Sequence, residues 1–548
     1  MTDRPDSFDR GQRPRMTILE DLIDTDARLL VQVARRMRLV RRAAKGRPAL
    51  PRDTEKQLWT AFDQQCRRQD LDPRLARQLF ALLGGFGLEK PGERRDADKP
   101  FGLVPRSEPA DIDITGPRSL SRTRMLAVLA AASGQALRLA GVVLNDPLVE
   151  LIKAFNQAGA RLSWTDDNLE AQARALGPDE PALRFEDQLV FAGEDPFTLY
   201  VLLALALREA GRSKFAGGAG LKILDLRALD VLLPRLGARL APMNPRSHGL
   251  PARLESGGRM ASRLALTPET PPAFAQALAL AAWSYPEGLR LALPPDASSA
   301  AVLAEALDEA VEVLNLCKIK AQRKDDEFVI PAAKPRLPAT AELPLDPALS
   351  AYILAVPAFA GGQARLSGAL TLPPRVAEDF AALGLAPELA ADAAACRHAE
   401  LSTGRSLGMG ADARFFPLAL ALALRAGAAR VALPGGKAGE ETRAWAVDLL
   451  ERLGARHTVG PDAVSVSSGP QSAWEGVWSS PSPHATLALA LISFLRPGLA
   501  LDNPGDLAAL WPRFWGFYNS LPLARDVKPA VKAPEPEPAA PRRKRVRV

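Results

Sequence analysis

The sequence predicts an α/β protein that is built from six similar units and preceded by an all-helical module. Two patterns support this prediction. An amphipathic helix that ends at a glycine and is followed by a short strand recurs along residues 110–524, and residues 16–88 carry apolar side chains at helical spacing. At 548 residues the chain is also too long for one ordinary core, so we expect several domains.

The clearest repeat joins the end of a helix, a glycine and the start of a strand. It occurs as FNQAGARLSW (155–164), LPRLGARLAP (233–242) and LERLGARHTV (450–459). Upstream of each copy lies an Ala/Leu-rich helix, then a glycine and another strand. Glycine is typical of helix C-caps, because it adopts the left-handed backbone conformation at little steric cost. Each unit therefore predicts helix, strand, helix and strand in turn.

Three less regular units begin near residues 274, 351 and 485, which brings the number of units to six. Their helices are so rich in alanine that we expect them to be buried on most sides, since small side chains let helices pack closely. Six equal units with buried helices favour a fold with a helical core and sheets wrapped outside it. A single doubly wound sheet would not need them.

The N-terminal module spans residues 16–88. Apolar residues recur at intervals of three and four from Ile18 to Val40, RDTEKQLWTAFDQQCRR (52–68) predicts a second helix, and RLARQLFALLGGF (74–86) predicts a third. A module of this size exposes much apolar surface when it stands alone. We therefore expect dimerisation or docking of a protein partner through these helices.

Composition marks the remaining segments. Residues 89–109 mix proline, glycine and charge and predict a linker. Residues 1–15 and the basic, Pro/Ala-rich segment 525–548 are expected to be disordered. The RRKRVR cluster in the second of these can contact polyanions, although a solvated tail is the favoured interpretation.

Charge and the rarer residue types exclude several function classes. The net charge of +7 arises at the ends, because residues 1–99 carry 22 Lys/Arg against 16 Asp/Glu, and residues 525–548 carry eight against three. The central body is thus acidic, which disfavours nucleic-acid binding. Three cysteines and four histidines lie far apart and predict neither a disulfide framework nor a metal site. Without a long apolar run or a signal core, a cytoplasmic protein is expected.

The segment ITGPRSLSRTRMLAVLAAASG (114–134) resembles the opening motif of the EPSP synthases, a family of enolpyruvyl transferases. The resemblance continues through the six units to WPRFWGFYNSL (511–521) and covers about 410 residues. It implies a two-domain inside-out α/β barrel of six βαβαββ-like repeats, with substrates in the cleft between the domains. Residues 110–120 plus 316–524 would form one domain, and residues 121–315 the other.

This family transfers an enolpyruvyl group from phosphoenolpyruvate to shikimate 3-phosphate, so the resemblance implies phosphate-binding cations in the cleft. The family's opening Lys-Ser pair corresponds to Arg118 and Ser119, where a capped helix start can offer backbone amides to an anion. Further substrate-binding candidates on the same helix are Ser121, Arg122 and Arg124.

The resemblance also implies two catalytic residues. The family's aspartate falls at Asp412 and its lysine at Lys437, and these groups would move protons through a tetrahedral intermediate. Arg443 in the same stretch is a substrate-binding candidate. No cofactor and no metal ion are implied. The small-molecule partners would be the two phosphorylated substrates.

Other family positions have lost their cations. Glu194 and Tyr200 replace the Asn and Arg that grip phosphoenolpyruvate, and an acid there repels that ligand. The Ser-Ser-Gln that binds the shikimate phosphate corresponds to Pro-Pro-Ala at 271–273. Of the family's Asp-His-Arg triplet, Pro-His-Ala at 483–485 keeps the histidine alone.

The N-terminal module resembles the all-helical chorismate mutases, which also act on the route to aromatic amino acids. LIDTDARLLVQVARRMRLV matches the long first helix of that family, and DTEKQLW matches the start of its second. The residues that correspond to its substrate pocket are Arg36, Lys45 or Arg47, and Glu55. About half of the family's pocket cations have no match here.

Three functions fit these patterns. The first is an EPSP synthase with an unusual site. The second is a catalytically silent binding, scaffold or regulatory protein that keeps both folds. The third is an enolpyruvyl transferase for a different and less anionic acceptor, for which fewer cations would suffice.

Overall fold

The computed structural model describes residues 100–165, 167–174, 181–244, 248–258, 260–471, 474 and 476–525, together with 52–69 and eight single positions between 25 and 39. The chain divides into two compact units, Met1–Lys99 and Pro100–Val548.

Helices and strands alternate along the described chain. The helices are α1 (Arg52–Arg68), α2 (Leu120–Ser133), α3 (Asp146–Gln157), α4 (Pro196–Ala206), α5 (Ala219–Ile223), α6 (Arg227–Leu232), α7 (Pro272–Ala282), α8 (Ala297–Leu316), α9 (Pro347–Ala360), α10 (Pro374–Leu383), α11 (Phe416–Ala426), α12 (Gly436–Arg452), α13 (Pro483–Ile492) and α14 (Phe514–Ser520). The strands are β1 (Phe101–Leu103), β2 (Ala110–Thr115), β3 (Leu137–Leu139), β4 (Leu162–Thr165), β5 (Asn168–Ala171), β6 (Leu189–Phe191), β7 (Gly211–Ala216), β8 (Ala238–Pro242), β9 (Ala252–Ser256), β10 (Arg263–Ala265), β11 (Leu289–Ala292), β12 (Gln322–Lys324), β13 (Glu327–Ile330), β14 (Thr340–Ala341), β15 (Gly362–Ser367), β16 (Glu388–Leu389), β17 (Ala393–Arg397), β18 (Arg405–Leu407), β19 (Ala429–Ala432), β20 (His457–Val459), β21 (Ala463–Val466), β22 (Leu499–Leu501) and β23 (Leu523–Arg525).

In the first unit, α1 confirms the predicted second helix. The eight described positions between 25 and 39 are all helical, in agreement with the predicted first helix. The predicted third helix and the candidates Lys45 and Arg47 lie outside the described residues, as do residues 1–15. Docking of a partner on this unit stays a prediction.

The strands of the second unit form small separate sheets. In strand order these are sheet I (β14-β3-β5-β4), sheet II (β6-β7-β9-β8), sheet III (β10-β11-β13-β12), sheet IV (β16-β17-β15-β2-β23), sheet V (β18-β19-β21-β20) and the pair β1-β22. Sheets I to V share one pattern, in which a parallel strand pair is extended by two antiparallel strands. The repeated units are thus confirmed, and the sixth is reduced to a two-stranded pair.

Six alanine-rich helices fill two cores. Helices α2, α4 and α7 lie in the core of a first half, residues 120–343, and α9, α11 and α13 in that of a second half, residues 101–116 and 345–525. Nearly every residue of α4, α7, α11 and α13 is buried, as expected from their composition. The sheets cover these helices from outside, which is the predicted arrangement.

The chain crosses between the halves twice, and each crossing carries a strand with it. Strand β2 precedes α2 in sequence but pairs with β15 in sheet IV of the second half. Strand β14 lies just before the return and pairs with β3 in sheet I of the first half. The second half is therefore discontinuous in sequence.

Three predicted boundaries need correction. The predicted linker 89–109 is wrong at its end, because Phe101–Leu103 forms a strand that pairs with Leu499–Leu501. The return crossing lies at 343–345 and not near residue 316, since the strands that follow α8 complete sheet III of the first half. The predicted tail begins after Arg525, because β23 adds to sheet IV; residues 526–548 lie outside the described residues.

Glycines end helices where the repeat places them. Gly134 and Gly427 adopt left-handed conformations, with φ of 66° and 80°, at the ends of α2 and α11. Gly237 and Gly454 do the same in the copies that start at residues 233 and 450. None of the described helices is long and apolar enough to cross a membrane.

Candidate functional site

The two crossing segments run side by side between the halves. The Asp346 backbone N–H donates to the Pro117 carbonyl at 2.7 Å, and the Ser119 N–H donates to the Pro344 carbonyl at 2.9 Å. The Arg118 guanidinium donates to the Leu343 carbonyl at 3.0 Å. Arg118, expected to supply charge to a phosphate, thus contacts the return segment through one of its nitrogens.

Ser119 caps α2 as the sequence predicts. Its Oγ accepts the Arg122 N–H at 3.3 Å, and the side chain is buried. Ser121 lies half-buried in the first turn of the same helix. The hydroxyl of Ser119 is therefore used within the helix, which fixes where α2 begins.

Asp346 joins the starts of two helices from different halves. Its carboxylate accepts the N–H groups of Ala348 and Leu349 at 3.1 Å in α9, and that of Leu120 at 3.2 Å in α2. Burial raises the pKa of Asp346, although these three amides and the nearby Arg414 act in the opposite direction. A carboxylate thus occupies the position between two positive helix ends.

The two candidate arginines of α2 that lie beyond the cap are paired with carboxylates of the same half. Arg122 forms an ion pair with Glu312 of α8. Arg124 lies 3.2 Å from Asp195, the N-cap of α4, and stacks over Phe197 at 4.8 Å from the ring centroid. Each guanidinium therefore has one carboxylate partner in the same half, while the Nε of Arg124 is buried without an acceptor.

The predicted catalytic Asp412 is also paired. Arg414 reaches its carboxylate through Nη2 at 2.7 Å and through Nε at 3.1 and 3.2 Å, and the same Nη2 donates to Glu305 of α8 at 3.0 Å. The contact with Glu305 spans the two halves. Asp412 and Glu305 thus share one guanidinium between them.

His484 lies at the start of α13 beside this cluster. Burial, and then the positive charge of Arg414, lowers the pKa of His484 to about 4, although Asp412 acts to raise it. The Tyr352 hydroxyl donates to the His484 carbonyl at 3.1 Å. The imidazole is therefore neutral at pH 7, and an acid, a cation and a proton acceptor lie together.

Glu194 lies at the position that the resemblance assigns to the family's asparagine. Its carboxylate accepts the N–H groups of Ala219 and Gly220 at 2.8 and 2.7 Å. Its own N–H donates to Glu150, whose pKa is raised by burial and by the neighbouring Glu194 and Asp195. The two backbone amides of Ala219 and Gly220 thus already have a hydrogen-bond acceptor within the protein.

The remaining candidates lie in α12 and in the first unit. Arg443 lies in α12, and its Nη2 donates to the Pro461 carbonyl at 2.6 Å. Lys437 lies in α12 and Glu55 in α1, with side chains outside the described part of the structure. Arg36 of the first unit is half-buried, and burial lowers its pKa. Within the described ranges, no group of three His, Cys, Asp or Glu side chains can hold a metal ion.

The second unit has the fold of the enolpyruvyl transferases. Two structures of the EPSP synthase of Acinetobacter baumannii match with TM-scores of 0.62 and 0.63 and 14% sequence identity, over 76% and 78% of this chain and 97% and 100% of that one. The enolpyruvyl transferase NikO from Streptomyces tendae matches with a TM-score of 0.55 and 16% identity, over 75% of this chain and 94% of that one. No protein-family model and no curated protein matches the sequence. The chain therefore has an EPSP synthase-like fold.

Sequence reasoning missed several residues that make these contacts. These are Arg414, Asp346, Tyr352, Asp195, Glu305 and Glu312. Asp346 carried a usable signal, because Asp before Pro at the start of an apolar helix is a typical N-cap. The spacing of the two glutamates by seven residues also places them on one face of α8.

Proposed function

We propose that this protein uses the EPSP synthase-like fold as a catalytically silent binding or regulatory protein of the aromatic amino-acid route. The observation that supports this proposal is the pairing of Arg122, Arg124 and Arg414 with internal carboxylates. The expected partner contacts of the N-terminal helices belong to the same proposal.

Pairing of this kind opposes anionic substrates for a physical reason. A phosphate must break an existing ion pair to gain the arginine, and the released carboxylate then stays in the cleft as a like charge. Glu194 and Asp195 add negative charge near the same helix starts. Shikimate 3-phosphate and phosphoenolpyruvate together carry two phosphates and two carboxylates, so the opposition applies to both.

Calorimetry tests the proposal directly. The full chain is titrated with shikimate 3-phosphate and then with phosphoenolpyruvate, while phosphate release is followed in a parallel assay. We expect no binding heat at millimolar ligand and no phosphate release above the buffer rate. Binding of both ligands with phosphate release would establish the EPSP synthase activity instead.

A second candidate is an enolpyruvyl transferase for a less anionic acceptor. It is supported by the closeness of Asp412, Arg414 and His484, which supply an acid, a cation and a neutral imidazole. This candidate requires phosphoenolpyruvate to bind without shikimate 3-phosphate. A shift of intrinsic tryptophan fluorescence with phosphoenolpyruvate alone, lost in Arg414→Ala, would favour it over the silent protein.

A further inference from the structure

The outer face of sheet II is strongly basic although the central body of the chain is acidic. Its outward side chains are Leu189 and Phe191 on β6, Arg212 and Lys214 on β7, Arg253 and Glu255 on β9, and Arg239 on β8. We call these residues the basic face. The basic face thus carries four basic side chains and one acidic side chain on four adjacent strands.

One carboxylate on the basic face is shared by three arginines. Glu255 lies 2.8 Å from Arg253, 3.1 Å from Arg239 and 3.9 Å from Arg212. Burial acts to raise the pKa of Glu255, but Arg253 and Arg239 hold it below its ordinary value. A single negative charge neutralises one guanidinium, so the three arginines keep an excess of two charges.

The rest of the face leaves more positive charge unneutralised. Lys214 lies directly opposite Arg253 in the antiparallel register, and like charges in such a pair destabilise a sheet. Lys214 has no ion-pair partner among the residues described. The Nε of Arg253 is enclosed without an acceptor. This arrangement costs stability unless an anion from outside completes it.

We propose that the basic face binds an acidic segment of a partner protein in which glutamate or aspartate alternates with apolar residues. Glu255 demonstrates that a carboxylate fits among these guanidiniums. Leu189 and Phe191 are 62% and 48% exposed on the same face beside Lys214, so the segment gains apolar contact as well as charge. The proposal does not depend on the state of the cleft.

The size of the face favours a peptide over a nucleic acid. Four strands about 4.8 Å apart span roughly 14 Å, which a peptide of about four extended residues crosses. A single-stranded nucleic acid gains most from several aromatic platforms, and the face offers one exposed ring, Phe191. An acidic peptide therefore matches both the charge and the apolar edge.

A binding titration tests this assignment. The probe is a fluorescein-labelled synthetic peptide in which glutamates alternate with leucines, and its anisotropy is followed on addition of the full chain. We expect binding that weakens with added salt. The double variant Lys214→Ala/Arg253→Ala should bind roughly fivefold more weakly, because two exposed charges together contribute about 1 kcal/mol.

A matched control removes two arginines from another sheet. Arg263 and Arg290 lie side by side on the outer face of sheet III, and Arg263→Ala/Arg290→Ala should leave the affinity unchanged. Glu255→Gln should strengthen binding, because it frees three guanidiniums for the probe. Thermal unfolding midpoints close to that of the parent chain show that each variant is folded.

Three outcomes would overturn the proposal. The first is no binding at millimolar chain concentration. The second is equal weakening by the sheet II and sheet III double variants, which would mean a non-specific charge effect. The third is a fluorescent oligothymidylate that binds the basic face with the same variant pattern while the peptide does not, which would assign the face to nucleic acid.

Discussion

Protonation of His484 should destabilise the second unit as the pH falls. The pKa of His484 is lowered from 6.5 to about 4 by burial and by Arg414. A histidine with a lowered folded-state pKa contributes stability that is present above its unfolded pKa and is lost as the pH falls through the folded one. The window therefore runs from about pH 6.5 down to about pH 4.

The size of the effect follows from the shift. The pKa of His484 falls from 6.5 to about 4, and one pH unit corresponds to roughly 1.4 kcal/mol. The free energy of unfolding is therefore about 3 kcal/mol lower below pH 4 than at neutral pH. At pH 5 the loss is about 2 kcal/mol, because the unfolded chain is by then almost fully protonated at this histidine while the folded one is not. Such a loss is a large fraction of the stability of an ordinary domain.

Urea unfolding measured between pH 4 and 7.5 separates His484 from the carboxylates that titrate in the same range. The measured quantity is the free energy of unfolding of the parent chain minus that of His484→Gln, which stays neutral throughout. This difference should fall by about 2 kcal/mol between pH 7 and pH 5. If it is independent of pH, the imidazole is not desolvated and the description of the cluster is wrong.

Three further predictions concern the contacts at the helix starts. Ser119→Ala should lower the free energy of urea unfolding by about 1 kcal/mol, because α2 loses its cap. Ser121→Ala, two residues later in the same helix, should change it by less than about 0.5 kcal/mol. Asp346→Ala should lower the free energy of unfolding by about 2 kcal/mol or more, because three amides lose their acceptor. Asp346→Asn should lower it less, since the amide oxygen of Asn still accepts. Equal losses in the two variants would contradict this account. Glu305→Gln should lower the free energy of unfolding by at most about 1 kcal/mol at low salt and by less at high salt, because Glu305 and Arg414 are both exposed to solvent. A larger loss that does not depend on salt would contradict a simple surface ion pair.

The parts of the fold that sequence predicts well are those fixed by neighbouring residues. The glycine at the end of a helix and the strand that follows it are local, so the copies at 155–164, 233–242 and 450–459 are read from the chain directly. The burial of the alanine-rich helices is equally local, because their composition leaves no polar face. These signals determine the number and order of the units.

The return crossing depends instead on pairing between distant segments. Strand β14 is two residues long and lies about 200 positions from its partner β3, so no local pattern marks it. Without this strand, the end of α8 at Leu316 looks like the end of a unit. The boundary between the two halves lies at 343–345, because the strand β14 that precedes it belongs to sheet I.

Sequence patterns miss the ion pairs of the candidate site for the same reason. Glu305 and Arg414 are 109 positions apart, and Arg122 and Glu312 are 190 apart. A sequence pattern identifies the arginines as candidate phosphate ligands but gives no sign of the acids opposite them. Pairing in three dimensions decides whether a cation is available to a ligand.

The acids in the cleft follow from the fold as much as from any function. Helices α2 and α9 begin where the two crossing segments meet, and each start carries roughly half a positive charge from unpaired amides. In an enzyme that binds phosphates, the ligand offsets this charge. Here Asp195 and Asp346 accept such amides, and Glu194 accepts two more at the start of α5. Under the proposed silent function, these acids take the place of an anionic ligand at the helix starts, so the fold is kept without one.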